Sequence, residues 1–157
     1  MKKKIVIMIV FCLSIGLMLF AKNKQGNSYG IQDYPWELRK VESDLKQFEK
    51  ISLKINKRTL STSGVGYELT NSSDYEAVYG TDEYDLHVLI DESWYEIQVY
   101  EDEGLMASIL ASQITYENSK NWEQRYGDLT PGYYRLVIPI TVEGTEYYMT
   151  DEFVIRK

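Results

Sequence analysis

From residue 51 onward, apolar and polar side chains alternate in short runs. Ile51, Leu53 and Ile55 interleave with Ser52, Lys54 and Asn56. Tyr67 and Leu69 interleave with Glu68 and Thr70, and Glu76 to Tyr79 form a shorter run closed by Gly80. Tyr84, Leu86, Val88 and Ile90 share one face; so do Tyr95, Ile97 and Val99. Trp122, Gln124 and Tyr126 alternate with Glu123 and Arg125, and Tyr134, Leu136, Ile138 and Ile140 line a longer run. Tyr148 and Thr150 follow, and the chain closes on Phe153 and Ile155. A period of two is that of a strand with one side buried. Asn71-Ser72-Ser73-Asp74, Asp91-Glu92-Ser93 and Glu143-Gly144 separate the runs; such short polar residues bond their own backbone in turns. Strands at spacings of about ten residues, without long helices between them, predict an all-β sandwich or barrel. Residues Leu105 to Ile114 show neither a strand nor a helix period.

Upstream the pattern changes. Leu38, Val41, Leu45 and Phe48 recur at helical spacing behind Pro35, and Glu37 suits the positive end of a helix. A short amphipathic helix is expected over Pro35 to Gln47, packed on the body or free as a stalk. Residues Ala21 to Gly30 are polar and turn-rich, as in a tether. Before them, Lys2-Lys3-Lys4 precede an uncharged run from Ile5 to Ala21. That order suggests an N-terminal apolar helix acting as an export signal cleaved after Ala21, or as an uncleaved transmembrane anchor. Membrane contact through residues 5–21 would leave the body outside the cytoplasm.

The most informative residues sit before the longest strand. Leu129, Pro131 and Gly132 form a bend, and Tyr134 opens the strand beyond it. A tyrosine so placed can bury its ring and return its hydroxyl to the upstream backbone, the tyrosine corner of two-sheet sandwiches. Leu129, Pro131, Gly132 and Tyr134 are therefore the expected structural corner.

Charge and chemistry narrow the function. The chain of 157 residues carries a formal net charge of −7, and removing Lys2, Lys3 and Lys4 leaves −10 on residues 22–157. An acidic body without a Lys/Arg cluster argues against nucleic acid as a partner. The one cysteine, Cys12, lies in the apolar run, so the body can form no disulfide and has no thiol nucleophile. His87 is the only histidine; it has no second imidazole or thiol to make a triad or zinc site and is expected as a partly exposed strand residue. Acidic turns at Asp82-Glu83-Asp85, Asp91-Glu92, Glu101-Asp102-Glu103 and Asp151-Glu152 lack the spacing of a calcium loop and read as solvated charge. Arg135 is expected to point outward into a surface ion pair. Neither a catalytic residue nor a cofactor is implied.

Leu69-Thr70-Asn71-Ser72-Ser73, Tyr79-Gly80, Leu86, Trp94-Tyr95-Glu96-Ile97, Tyr126-Gly127-x-Leu129-x-Pro131-Gly132-x-Tyr134-Arg135-Leu136 and Glu152-Phe153-x-Ile155 occur in that order. This order resembles a bacterial immunoglobulin-like domain family of exported Gram-positive proteins. The resemblance implies an immunoglobulin-like β-sandwich over residues 48–157, in a family whose domains often follow an N-terminal signal; the signal or anchor at 1–21 and the tether and short helix at 22–47 are read from the residue pattern and lie outside the match. It also implies an extracytoplasmic setting, at the cell membrane or secreted, and no common catalytic residues. A non-enzymatic binding or structural role at the cell envelope follows, with a protein or a cell-wall glycan as ligand. Two alternatives stand beside it. One is a proteinase-inhibitor-like sandwich presenting Leu105–Ile114 as its loop. The other is a carbohydrate-binding module using Trp36, Trp94, Trp122, Tyr133, Tyr147 and Tyr148, since flat aromatic faces stack on ligands.

Overall fold

The longest ladder joins β9 (Gly132–Val142) to β10 (Thr145–Ile155), antiparallel over the full length of both strands. The computed structural model describes residues 30–99 and 106–157. Before this hairpin come β1 (Leu38–Lys40), β2 (Ile51–Asn56), β3 (Gly64–Asn71), β4 (Ala77–Gly80), β5 (Asp85–Ile90), β6 (Ser93–Ile97), β7 (Ala107–Leu110) and β8 (Ile114–Asn121). A single turn of 3-10 helix spans Ile31–Asp33, and α1 spans Glu123–Tyr126. Strands β2, β3 and β8 form a three-stranded sheet in that order; the other seven form the second sheet. Within it, β9 pairs with β10 on one side and with both β5 and β4 on the other, β5 opposite Tyr134–Val137 and β4 opposite Thr141–Val142. The result is an all-β immunoglobulin-like sandwich.

Local sequence explains the hairpins. Asp91 and Glu92 both have positive φ (45° and 63°), as do Glu143 and Gly144 (48° and 75°). Two successive left-handed residues make the tight turn whose twist matches the flanking strands. Between the sheets, alternate residues interdigitate. Leu53, Ile55, Tyr67 and Leu69 from the small sheet meet Leu86, Val88, Tyr134, Leu136, Ile138 and Met149 from the large one. Phe153 lies between two rings, stacked on Trp122 at 5.7 Å and on Tyr134 at 5.6 Å.

Three sequence expectations need correction. Of residues 122–126, expected as strand, Glu123–Tyr126 form α1 and Trp122 precedes it as the N-cap. The Asn121 side chain accepts the Glu123 N–H at 3.0 Å, and Gly127 at φ 71° ends the turn. Trp122 and Tyr126 both enter the core, and Tyr126 N–H donates back to Trp122 O at 2.7 Å.

The amphipathic helix over Pro35 to Gln47 is absent; its place is taken by β1 and irregular chain. Strand β6 offers an open edge, and this segment satisfies it. Leu38 pairs with Ile97, Gln98 N–H donates to Glu37 O (2.9 Å) and Val41 N–H donates to Trp94 O (3.0 Å). Main-chain bonds to a sheet edge have replaced the i-to-i−4 bonds of a helix. The apolar residues at helical spacing are only half-buried, and they form no single stripe: Leu38 lies in β1, and both Leu38 and Phe48 pack against the core.

The third correction concerns the membrane. Among the described residues, no helix is long and apolar enough to cross one. The transmembrane helix, the membrane partnership and the cell-membrane location expected from residues 5–21 therefore have no counterpart here; residues 5–21 themselves lie outside the described residues. Leu105 also lies outside them, whereas Ala107–Leu110 and Ile114 onward are strands β7 and β8.

The core makes a stability prediction. Trp122→Ala empties the space beside Phe153 and leaves Thr62 O without its indole donor, so denaturant melts should show a loss of about 3–5 kcal/mol. Tyr134→Phe keeps the ring and removes one hydroxyl bond, for about 1 kcal/mol. Equal losses for the two variants would contradict this account of the core.

Candidate functional site

The bend before β9 is built from interior contacts. Leu129 is buried and its N–H donates to Thr62 O at 2.9 Å. Tyr134 is fully buried, and its hydroxyl donates to Thr130 O at 2.7 Å. Pro131 and Gly132 are partly exposed between them. A Cβ on Gly132 would stand 3.0 Å from both the Tyr134 ring and the Tyr34 hydroxyl, so the close approach favours glycine. Leu129 and Tyr134 face inward, and Pro131 and Gly132 have no polar side-chain group to offer a ligand.

On the outer face of the large sheet lies a polar cluster that alternation alone would put in water. Arg135 and His87 are both buried, cross-strand partners on β9 and β5. Arg135 Nε donates to His87 Nδ1 at 3.0 Å; Nη1 and Nη2 donate to the carbonyls of Ser43 and Glu42 at 2.8 and 2.9 Å. Its guanidinium lies 4.4 Å from the centre of the Trp94 ring. The segment expected as a helix thus forms the roof of this cluster. His87 is buried rather than partly exposed, and among the described residues Arg135 makes no surface ion pair. Burial, then the neighbouring Arg135 charge, lowers the imidazole pKa to about 4.

Lys120 and Arg125 form a second cluster at the other end of the sandwich. Together with Thr81, Asp82, Tyr84 and Asn118 they line an open concavity of about 480 Å³. Lys120 Nζ donates to Thr81 O and lies 3.7 Å from an Asp82 carboxylate oxygen. Arg125 Nη1 donates to Asp82 O at 3.3 Å. Both cations cover the Tyr84 ring, at 4.9 and 5.0 Å. They clamp the loop between β4 and β5 against β8 and α1. Two buried polar atoms lack a hydrogen-bond partner among the described residues, Arg125 Nε and the Tyr67 hydroxyl. Burial, then Tyr79, pushes the Tyr67 pKa up.

The side of the sandwich between β7 and β8 is different in kind. Met106, Ile109, Ile114 and Tyr116 are exposed there. The opposite side, between β2 and β10, is closed by the chain itself: Tyr148 N–H donates to Lys46 O at 2.8 Å and Ile55 N–H to an Asp151 carboxylate oxygen at 2.7 Å. The aromatic residues considered for a carbohydrate platform are engaged elsewhere. Trp122 and Trp94 are buried, and Trp36 Nε1 donates to Tyr126 O at 2.7 Å. Tyr133 packs on Trp94 and Tyr147 on Phe48. The inhibitor-like loop is held as well, since β7 pairs with β4 from Ala77↔Leu110 to Gly80↔Ala107. Among the described residues, no group of three or more His, Cys, Asp or Glu side chains is placed to hold a metal ion.

Sequence reasoning missed the His87–Arg135 cluster and the Lys120–Arg125 clamp. The first had a signal. Tyr133, Val137 and Pro139 make the second face of β9 apolar too, and a strand apolar on both faces is covered on both. The second had none, because Lys120 and Arg125 look like ordinary turn charges.

A family model described as a bacterial Ig-like domain matches residues 47–154, more than half of the chain. No curated protein and no solved structure matches it.

The buried imidazole makes stability depend on pH. An unfolded histidine titrates near 6.5 and His87 in the fold near about 4, so the unfolded chain takes up its proton first as the pH falls. The contribution is complete above about pH 6.5 and is lost toward pH 4, on the order of 1–3 kcal/mol. His87→Gln retains an acceptor for Arg135 but does not titrate. Urea melts from pH 7 to 4 should show a shallower decline in the variant than in the parent; identical slopes would rule the imidazole out as the source.

Proposed function

The chain belongs to the family of bacterial Ig-like domains, and on that footing we propose that this non-enzymatic domain binds a polypeptide partner at the cell envelope through its β7–β8 side. One observation carries this proposal. Exposed apolar residues gather on that side, whereas the β2–β10 side is closed by the chain's own hydrogen bonds. Scattered apolar residues on a surface mean little, but several beside one another mark interaction sites. The resemblance to domains of exported proteins supports the envelope setting. The occupied tryptophans and the hydrogen-bonded β7 give no support to a glycan platform or an inhibitory loop.

Two measurements test this. A photo-crosslinking amino acid in place of Tyr116 should give a discrete adduct in the native organism, and the same group in place of Val154, exposed on β10, should not. Adducts from both positions, or from neither, would remove the β7–β8 side from consideration. For the setting, protease added to intact cells should degrade the protein while a cytoplasmic marker survives. Full protection of both would refute an envelope role.

A further inference from the structure

Strand β8 ends the small sheet, and it is long for an edge. It runs for eight residues, against three in β1, four in β7 and six in β2; β10 is longer at eleven, but Lys46 O and Ile55 N–H bond to it. Natural sheets blunt their edges with prolines, bulges, short strands or covering chain. Residues Ile114 to Ser119 contain no proline. Among the described residues, no main-chain bond beyond the ladder with β3 reaches them; the Ser119 N–H alone takes a side-chain acceptor, Asn118 Oδ1 at 2.7 Å.

Among the described residues, no strand pairs with the outer side of β8, and the small sheet stops at three strands. Strand β7, which precedes β8 in the chain, has gone to the other sheet. It is fixed there by the buried Asn71 amide, which donates to Leu110 O and Ala111 O, and by Gln113, which donates to Ser72 O and Ser73 O. Strand β7 therefore cannot move to the edge of β8 without breaking these bonds.

We propose that β8 docks an extended polypeptide segment as the fourth strand of the small sheet, with apolar side chains on its inner face and Lys or Arg on its outer face. This rests on the binding role proposed above. By register Ile114 and Tyr116 lie on the same face as Asn71 and Leu69, which are buried, yet they are themselves 42% and 47% exposed. An added strand places every second side chain beside them. On the outer face Glu117 is the direct cross-strand neighbour of Glu68. Like charges opposite one another are unfavourable, and Lys54 relieves Glu68 only from the far side. A cation on the incoming strand supplies what Glu117 lacks, and the net charge of −10 on residues 22–157 attracts it from a distance. A second copy of the chain fits less well, since it would bring another acidic body and another Glu117–Glu68 pair to the same edge.

The test uses the full chain and a ten-residue peptide alternating valine and lysine, with the valine–glutamate peptide as control. Binding should slow amide hydrogen exchange at Ile114 to Ser119, and the lysine peptide should bind about tenfold tighter than the glutamate one. Glu117→Lys should weaken the lysine peptide about two- to fivefold, while N-methylation of alternate peptide amides should abolish binding. Unchanged exchange at those residues, or equal affinity for the two peptides, overturns the proposal. So does a dimer in sedimentation that protects β8 without peptide. A crosslink from position 116 that persists in any of these cases would leave the binding role standing and refute only its strand-addition form.

Discussion

The stack of Trp122, Phe153 and Tyr134 is the contact on which the fold turns. It joins three parts of the chain: the residue before α1, the last strand and the first residues of β9. Each ring is also fixed by something other than packing. The Trp122 indole N–H donates to Thr62 O at 2.7 Å, the Tyr134 hydroxyl to Thr130 O, and Phe153 is the register partner of Tyr134. A body without a disulfide must find its rigidity in such interdigitation, and here the polar ends of the rings set the geometry while their faces exclude water.

On the opposite face of β9 the solution is more costly. Arg135 is only 4% exposed, and its hydrogen-bond partners are uncharged: two carbonyls and a neutral imidazole, with an indole face alongside. A guanidinium taken from water needs nearly all its donors satisfied. The chain meets that need by laying residues 41–48 across the sheet. Arginine thus holds the covering segment in place, and the segment in turn makes the site dry enough to keep His87 neutral.

What the sequence revealed followed the physics of alternation. The inner face of β2 was legible because its outer residues Ser52, Lys54 and Asn56 are exposed. The hairpin turns were legible because their left-handed positions hold Asp, Glu and Gly. Residues 35–47 were not, since half-buried apolar residues at spacings of three and four mimic a helix stripe even in a short strand and the irregular chain after it. Trp122 to Tyr126 failed for the converse reason: five residues are too few for strand and helix periods to differ. The β7–β8 region had no period because the chain changes sheets between Leu110 and Ile114, so its inward direction reverses midway. The exposed edge of β8 was invisible for a deeper reason. Whether a strand has a neighbour is a property of topology, and its own residues do not record it.

One last feature bears on how the domain would respond to tension. Lys46 lies beside Tyr148, Gln47 beside Thr150 and Ile55 beside Asp151, so the chain entering the sandwich and the chain leaving it run side by side in the same direction. A pull applied at the two ends would not peel one strand away bond by bond. It would slide β2 along β10, loading their shared contacts together, which is the geometry of a mechanical shear joint.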